Sequence, residues 1–360
     1  MVVSVLVVDD SAFFRGRIIK LLQRNPQIRV VGEAANGRDA VALSESLTPD
    51  VITMDYEMPV MDGISAVAEI LKRRKLPIVM LSSLTFEGAR LTIKALEAGA
   101  ADFMVKSQME AMGGQWPVLI EKVLALALHR SEAVRPVREA SPPVGRVSST
   151  AAPPLPQPSA PRQEFRKSAV AGMRLLIVAA STGGPVAIRQ VLEDVPARFG
   201  CPVVIVQHMP ERFTQAFAER LSEYCHLKVS EAKDQTVLQP GQAYVAPGGR
   251  QLLLQLQGSQ LVTHIVTDQD GRLYKPSVDV TLGSEAKNLG AAVLALVLTG
   301  MGDDGTRGGR LLHAAGGKIW VQEAASCVVN GMPQSLRNAG LADEVLTLAE
   351  MGKRLSQLAG

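Results

Sequence analysis

The chain contains no uncharged apolar run approaching the roughly 18 residues that a membrane span requires. Its first ten residues, Met-Val-Val-Ser-Val-Leu-Val-Val-Asp-Asp10, lack the basic leader of a secretory signal. Cysteine is scarce: Cys201, Cys225 and Cys327 are an odd number without close pairing. That argues against a disulfide framework and for a reducing, cytoplasmic setting. An excess of either sign of charge is nearly absent as well, 38 Lys and Arg standing against 35 Asp and Glu for a formal net charge of +3. Residues 130–170 alone carry seven basic side chains against three acidic, an excess larger than that of the whole chain. The remainder is close to neutral and has no basic helix of nucleic-acid-binding type, so nucleic acid is not an expected partner.

That same segment holds eight of the 21 prolines, interspersed with Ser and Ala. Such a composition cannot build a core and reads as an extended tether. At 360 residues the chain exceeds one ordinary core. The expected division is residues 1–128, a linker at 129–170, and residues 171–360.

In the first unit, apolar runs end abruptly in polar residues. Val2–Val8 stops at Asp9-Asp10, Val51–Met54 at Asp55, Ile78–Leu81 at Ser82-Ser83, and Asp102–Val105 at Lys106. Helical spacing between them (Ser11–Gln23, Ala40–Leu47, Ile64–Arg73, Gly88–Ala98) predicts a five-stranded parallel sheet. Its strand ends then gather three carboxylates, a hydroxyl and an ammonium on one edge. Clustered carboxylates repel one another unless a divalent cation binds, and hard oxygen ligands suit Mg²⁺. Asp9, Asp10, Asp55 and Glu57 are the candidate ligands. With the metal in place Asp55 is a plausible nucleophile toward a phosphoryl group, whose oxygens Ser82 and Lys106 would hold.

The second unit opens on Arg174-Leu-Leu-Ile-Val-Ala-Ala-Ser181-Thr-Gly-Gly-Pro185, an apolar strand that stops at a serine before a flexible turn and a helix start. A second strand, Pro202–Gln207, ends at His208, with a helix expected from Pro210 to Leu221. A third, Val293–Leu298, ends in Thr299-Gly-Met-Gly-Asp-Asp-Gly305. Only five histidines exist to act as a base, and of His129, His208, His226, His264 and His313 only His208 closes a strand. Ser, His and Asp at three strand ends have the makings of nucleophile, base and orienting acid. Spacing leaves Asp303 and Asp304 open as the acid. The serine lacks the G-x-S-x-G elbow, and its Thr-Gly-Gly sequel matches neither GxxxxGK[ST] nor GxGxxG.

Residues 1–128 resemble the receiver domain of two-component response regulators. The resemblance implies that Asp55 accepts the phosphoryl group, Asp9 and Asp10 form the acidic pair, Ser82 supplies the switch hydroxyl and Lys106 the family lysine. One departure is Ser107, where receivers usually carry proline. The whole chain resembles the CheB family of chemotaxis response-regulator protein-glutamate methylesterases. The matching stretches are Ala180-Ser-Thr-Gly-Gly184, Gln207-His-Met-Pro210, Pro276-Ser-Val-Asp279, Leu298-Thr-Gly-Met-Gly302 with Asp304-Gly305, and Glu323-Ala-Ala-Ser-Cys-Val-Val329. Ala179 stands where that family usually has glycine.

The resemblance implies a (βα)5 receiver, a linker, and a doubly wound, mainly parallel α/β methylesterase domain. It implies Ser181 as nucleophile, His208 as base and Asp304, not Asp303, as acid. Backbone donors around Thr182 or Met301 would then meet the oxyanion. Implied too are Mg²⁺ at the receiver, no cofactor for ester hydrolysis, and glutamine deamidation as a second activity. The implied partners are a sensor histidine kinase as phosphodonor and methylated chemoreceptors as substrate. A non-catalytic adaptor governed by its receiver is the rival from another class.

Overall fold

The computed structural model describes residues 2–106, 117–134, 172–268 and 273–358. In the first unit, strands β1 (Val3–Val8), β2 (Ile28–Ala34), β3 (Val51–Asp55), β4 (Ile78–Ser82) and β5 (Asp102–Val105) pair in parallel in the order β2-β1-β3-β4-β5. Helices α1 (Ala12–Leu22), α2 (Gly37–Ser46), α3 (Gly63–Arg73), α4 (Phe86–Glu97) and α5 (Pro117–Val134) accompany them. Every residue of β3, β4 and β5 is buried, as continuous apolar runs require between two helical layers. The helices start where side chains meet their free amides: Ser11, Asn36, Asp62 and Thr85 each accept from an N–H of the first turn.

Strand β2 has no counterpart in the sequence reading. It is an edge strand in which only Ile28 and Ala34 are fully buried, so no continuous apolar run marks it. Helix α5 runs to Val134, past the boundary expected at 128. Residues 135–171, which hold most of the expected linker, and Ser107 lie outside the described residues.

The second unit centres on a seven-stranded sheet in which every pairing is parallel. Its strands are β6 (Leu175–Ala180), β7 (Val203–Gln207), β8 (Lys228–Glu231), β9 (Gln242–Val245), β12 (Val293–Val297), β13 (Lys318–Gln322) and β14 (Glu344–Leu346). An antiparallel hairpin, β10 (Gln251–Gln257) and β11 (Gln260–Val266), stands apart from it. The helices are α6 (Gly184–Leu192), α7 (Phe213–Ser222), α8 (Val278–Asn288), α9 (Thr306–Ala314), α10 (Gly331–Asn338) and α11 (Leu348–Leu358). Helix α7 begins at Phe213, not Pro210, because Arg212 adopts a left-handed φ of 71° just before it. The strand order β14-β13-β12-β6-β7-β9-β8 means the chain winds outward from β6 in one direction and then returns to β12 on the other side. The crevice at such a switch point, outside the carboxyl ends of the strands, is where open α/β sheets hold ligands.

The two units pack together along α4 and β5. The Phe103 ring of β5 stacks on Phe213 of α7 at 4.9 Å between centroids and 5° between planes. Arg220 of α7 pairs with Glu97 of α4 at 2.7 Å, and Arg90 with Glu219 at 3.1 Å. One buried cluster contains Ile93 and Phe103 together with Phe213 and Phe217, so apolar packing crosses the interface.

Within the second unit, α9 crosses the start of α8 through a glycine. A Cβ on Gly308 would lie 2.5 Å from the Asp279 carbonyl oxygen and 2.8 Å from its Cα. Backbone on both sides cannot yield as a flexible side chain would. Gly308→Val is therefore expected to destabilise the second unit by about 1–3 kcal/mol, read as a lower midpoint in thermal unfolding.

Candidate active site

Ala180 of β6 pairs with Gln207 of β7, so Ser181 and His208 leave neighbouring strands at the same level. The Ser181 N–H donates to the Thr299 carbonyl at 3.0 Å, tying the serine to the end of β12 on its other flank. The His208 N–H donates to the Ala180 carbonyl at 3.1 Å. Gln207 is buried, and its Nε2 donates to the carbonyls of both Ser181, at 2.9 Å, and His208, at 3.1 Å. Two carbonyls facing one group can be satisfied only by the NH₂ end of an amide, so the orientation of this glutamine is determined. Past the serine, Gly183 turns with φ of 77°, and a Cβ there would come within 2.6 Å of the Val328 side chain.

The His208 ring closes on Asp304. Nε2 lies 2.7 Å from Oδ2, and both side chains are more than nine-tenths buried. Tyr274 stacks flat on the imidazole at 4.1 Å and 5°. Burial works against the charge of Asp304, yet the His208 bond and the amides of Asp279 and Val278 outweigh it and hold the carboxyl below its ordinary pKa. Asp303, by contrast, is exposed. With Nε2 committed to Asp304, the remaining ring nitrogen is Nδ1, which is buried and has no hydrogen-bond partner among the described residues. The half-buried Ser181 shares a cavity of about 430 Å³ with His208, Tyr274 and Met301. No hydrogen bond joins Ser181 Oγ to His208 among the described residues. Neither the Thr182 nor the Met301 amide finds an acceptor among them.

The receiver-like unit supplies the other wall of this cavity, including Asp102, Phe103, Met104 and Lys122. The Thr182 hydroxyl, adjacent to Ser181 in sequence, donates to Asp102 Oδ2 at 2.5 Å. Lys122 of α5 also pairs with that carboxylate. The remaining histidines lie elsewhere. His226 is exposed, His264 sits on β11 beside Asp234 at 3.6 Å, and His313 sits on α9 beside Asp343 at 3.8 Å. The side chain of His129 is outside the described residues.

At the carboxyl edge of the first sheet, ligand atoms of Asp9, Asp10 and Asp55 lie within 4.8 Å of one another. Lys106 Nζ bridges two of them, at 2.9 Å from Asp9 and 2.8 Å from Asp55. Burial raises the Asp55 carboxyl to about 6 despite the Lys106 ammonium, so the carboxylates crowd one site that a hard cation would relieve. Burial opposes the charge of Lys106, but its bonds to Asp55 and Asp9 prevail and raise its pKa. The Glu57 side chain is exposed and is not among the clustered carboxylates. The Ser82 hydroxyl donates to the Gly88 carbonyl at 3.2 Å.

Four residues of the site went unread in the sequence: Gln207, Asp102, Tyr274 and Ser277. Gln207 and Ser277 fall inside matching stretches but look like ordinary polar residues there. Asp102 opens a strand in a different unit, and Tyr274 follows no strand.

A model of CheB methylesterase matches residues 176–355, and one of the response regulator receiver domain matches residues 5–112. A relative from Alkalilimnicola ehrlichii, named protein-glutamate methylesterase/protein-glutamine glutaminase, is 46% identical over 99% of this chain and 100% of its own. One from Pseudomonas aeruginosa, of the same name with the suffix 1, is 45% identical over 99% of each. Among solved structures, the CheB methylesterase catalytic domain of Thermotoga maritima is 35% identical, with a TM-score of 0.50 over 52% of this chain and 98% of that one.

The exposure of Asp303 and the burial of Asp304 against the imidazole set an expectation. Asp304→Asn should lower hydrolysis of a glutamyl methyl ester by roughly 10³–10⁴-fold, and Asp303→Asn by less than about threefold. His313→Gln should retain most of the rate. Methanol release measures all three.

Proposed function

The chain belongs to the CheB methylesterase family, with a response regulator receiver domain ahead of the catalytic domain, and from that premise we propose that it hydrolyses glutamate methyl esters of chemoreceptors by a Ser181–His208–Asp304 mechanism under receiver control. The observation that carries the reading is the buried His208–Asp304 pair, which leaves Nδ1 as the ring nitrogen without a partner, on the strand next to the one that Ser181 follows. Asp304 holds Nε2 protonated, so Nδ1 carries the lone pair that takes the proton of Ser181 Oγ. The serine oxygen attacks the ester carbonyl. The Thr182 and Met301 amides are the candidate donors for the resulting oxyanion. The imidazolium returns its proton to the departing methoxide, methanol leaves, and a glutamyl ester of Ser181 remains. Water, deprotonated by the same imidazole, then releases the glutamate. A side-chain amide follows the same course with ammonia as the leaving group, which accounts for a protein-glutamine glutaminase activity.

The receiver site fits a hard divalent cation: Asp9, Asp10 and Asp55 offer clustered carboxylate oxygens, and Mg²⁺ is the expected ion. That ion supplies charge neutralisation during phosphoryl transfer from a sensor kinase. Asp55 provides the accepting oxygen, and Lys106 remains to pair with the added charge. In the arrangement described here, β5 and α5 wall the cavity that contains Ser181. A receptor helix cannot enter while that wall is in place, so phosphorylation activates by loosening it.

Demethylation of radiomethyl-labelled receptor membranes tests both parts. Ser181→Ala is expected to lose several orders of magnitude in rate while keeping its fold. A fragment spanning 171–360 should outpace the unphosphorylated full chain, and Asp55→Asn should stay at the basal rate when a small phosphodonor and Mg²⁺ are added. Equal rates for fragment and full chain would remove the inhibition, and full activity in Ser181→Ala would remove the nucleophile.

A further inference from the structure

Helices α8 and α9 begin without side-chain caps of their own. Ser277, at the N-cap of α8, makes no capping bond to that helix, and Gly305, at the N-cap of α9, has no side chain to make one. Each helix is instead capped by an aspartate of the other. The Asp304 carboxylate, just ahead of α9, accepts the first amides of α8: Val278 N–H on Oδ2 at 2.7 Å and Asp279 N–H on Oδ1 at 3.0 Å. The Asp279 carboxylate, in the first turn of α8, accepts the opening amides of α9: Gly305 N–H at 3.0 Å and Gly308 N–H at 2.7 Å, both on Oδ1. The Ser277 hydroxyl turns away from its own helix and donates to Asp304 Oδ1 at 2.9 Å.

The exchange leaves Asp304 with four donors. Three come from the start of α8, and the fourth is His208 Nε2. A carboxylate on a single-bonded side chain rotates freely unless both oxygens are held. Here Oδ1 is held by Ser277 and Asp279, so the plane of the group is set, and Oδ2 is presented to the imidazole. Asp279 does the complementary task for the backbone: by tying the amides of Gly305 and Gly308 it locks the turn from which Asp304 projects. Neither residue touches the cavity that contains Ser181.

We propose that Ser277 and Asp279 are positioning residues of the hydrolytic site, Ser277 fixing the carboxylate of Asp304 and Asp279 fixing its backbone, so that reciprocal capping of two helices sets the orientation of His208. This rests on Asp304 acting as the orienting acid. It adds that the acid works at full strength only while α8 and α9 hold each other's first turns. The Asp279 requirement is for an acceptor, not a charge: its bonds run to two backbone amides, and burial already pushes its pKa up.

The test is a double-mutant cycle on kcat in the full chain, with radiomethyl-labelled receptor membranes as substrate. Ser277→Ala is expected to lower kcat about fivefold to tenfold with KM within about twofold, the scale of one hydrogen bond's net contribution. Ser277→Thr, which keeps the hydroxyl, should recover most of that loss. In an Asp304→Asn background, Ser277→Ala should cost less than about twofold, because its only route to the chemistry is already cut. Asp279→Asn should restore most of what Asp279→Ala loses. The same loss from Ser277→Ala in both backgrounds overturns the proposal, since a merely structural serine acts regardless of Asp304. A wild-type rate in Ser277→Ala overturns it too, while leaving the triad standing. A near-wild-type rate in Asp304→Asn removes the acid assignment itself, and this inference with it.

Discussion

Burial of a parallel sheet on both faces is the constraint from which the rest follows. Strands such as β3, β4, β6, β7 and β12 are buried at every residue, so polar side chains are confined almost wholly to their ends, Thr53 of β3 being the exception. Chemistry is pushed to the carboxyl edge, where the chain leaves the sheet and helix amides open toward the crevice. Both units obey this. In the first, the acidic pair follows β1 and Asp55 ends β3, the two strands that flank the reversal of strand order. In the second, Ser181 follows β6 and Asp304 lies beyond β12, again on the two sides of the reversal, with His208 supplied from β7. β6 lies between β12 and β7 in the sheet, and the imidazole following β7 meets the acid that follows β12.

Strand β5 joins the two sites. It is four residues long, which at about 3.3 Å per residue spans on the order of 13 Å. Lys106, just beyond its far end, bridges Asp9 and Asp55. Asp102, at its near end, accepts the hydroxyl of Thr182 beside the proposed nucleophile. Phe103, between them, stacks on Phe213. In the proposed regulation, β5 is thus the element that touches both the Asp55 site and the Ser181 cavity.

The sequence disclosed the edge chemistry well and its supports poorly. Asp55, Ser181 and His208 terminate continuous apolar runs, a pattern visible without coordinates. Asp304 sits beside an equally acidic Asp303, and only burial separates them, so the choice rested on resemblance. Glu57 stands two residues past Asp55 in sequence, and its side chain is exposed, apart from the clustered carboxylates. Edge strand β2 escaped because half-exposed positions break the apolar run. Gln207, Ser277 and Asp279 were invisible as site residues since each acts through partners 25 or more positions away, at Ser181, Asp304 and Gly305. The Pro-rich tether in the sequence allows one unit to cover the other's site, but which surfaces meet is a relation between folded faces that composition does not specify.

The contacts across the interface set what the proposed opening must overcome. Its ion pairs, Arg90–Glu219 and Arg220–Glu97, are partly to largely solvated, and pairs of that kind contribute about 0–1 kcal/mol each. The Phe103–Phe213 stack adds about 0.5–1.5 kcal/mol beyond its buried area. Moving a two-state equilibrium from 1:99 to 99:1 requires a differential of about 5.5 kcal/mol. The interface also buries apolar side chains from both units, Ile93 and Phe103 against Phe213 and Phe217, and holds the buried Asp102–Thr182 bond, so these terms too stand against the bias that one phosphoryl group supplies. The Asp102–Thr182 bond ends beside Ser181, and Met301, which shares its cavity, packs against a buried cluster of mainly first-unit residues as well, so the contacts the proposed opening must break reach the catalytic residues themselves.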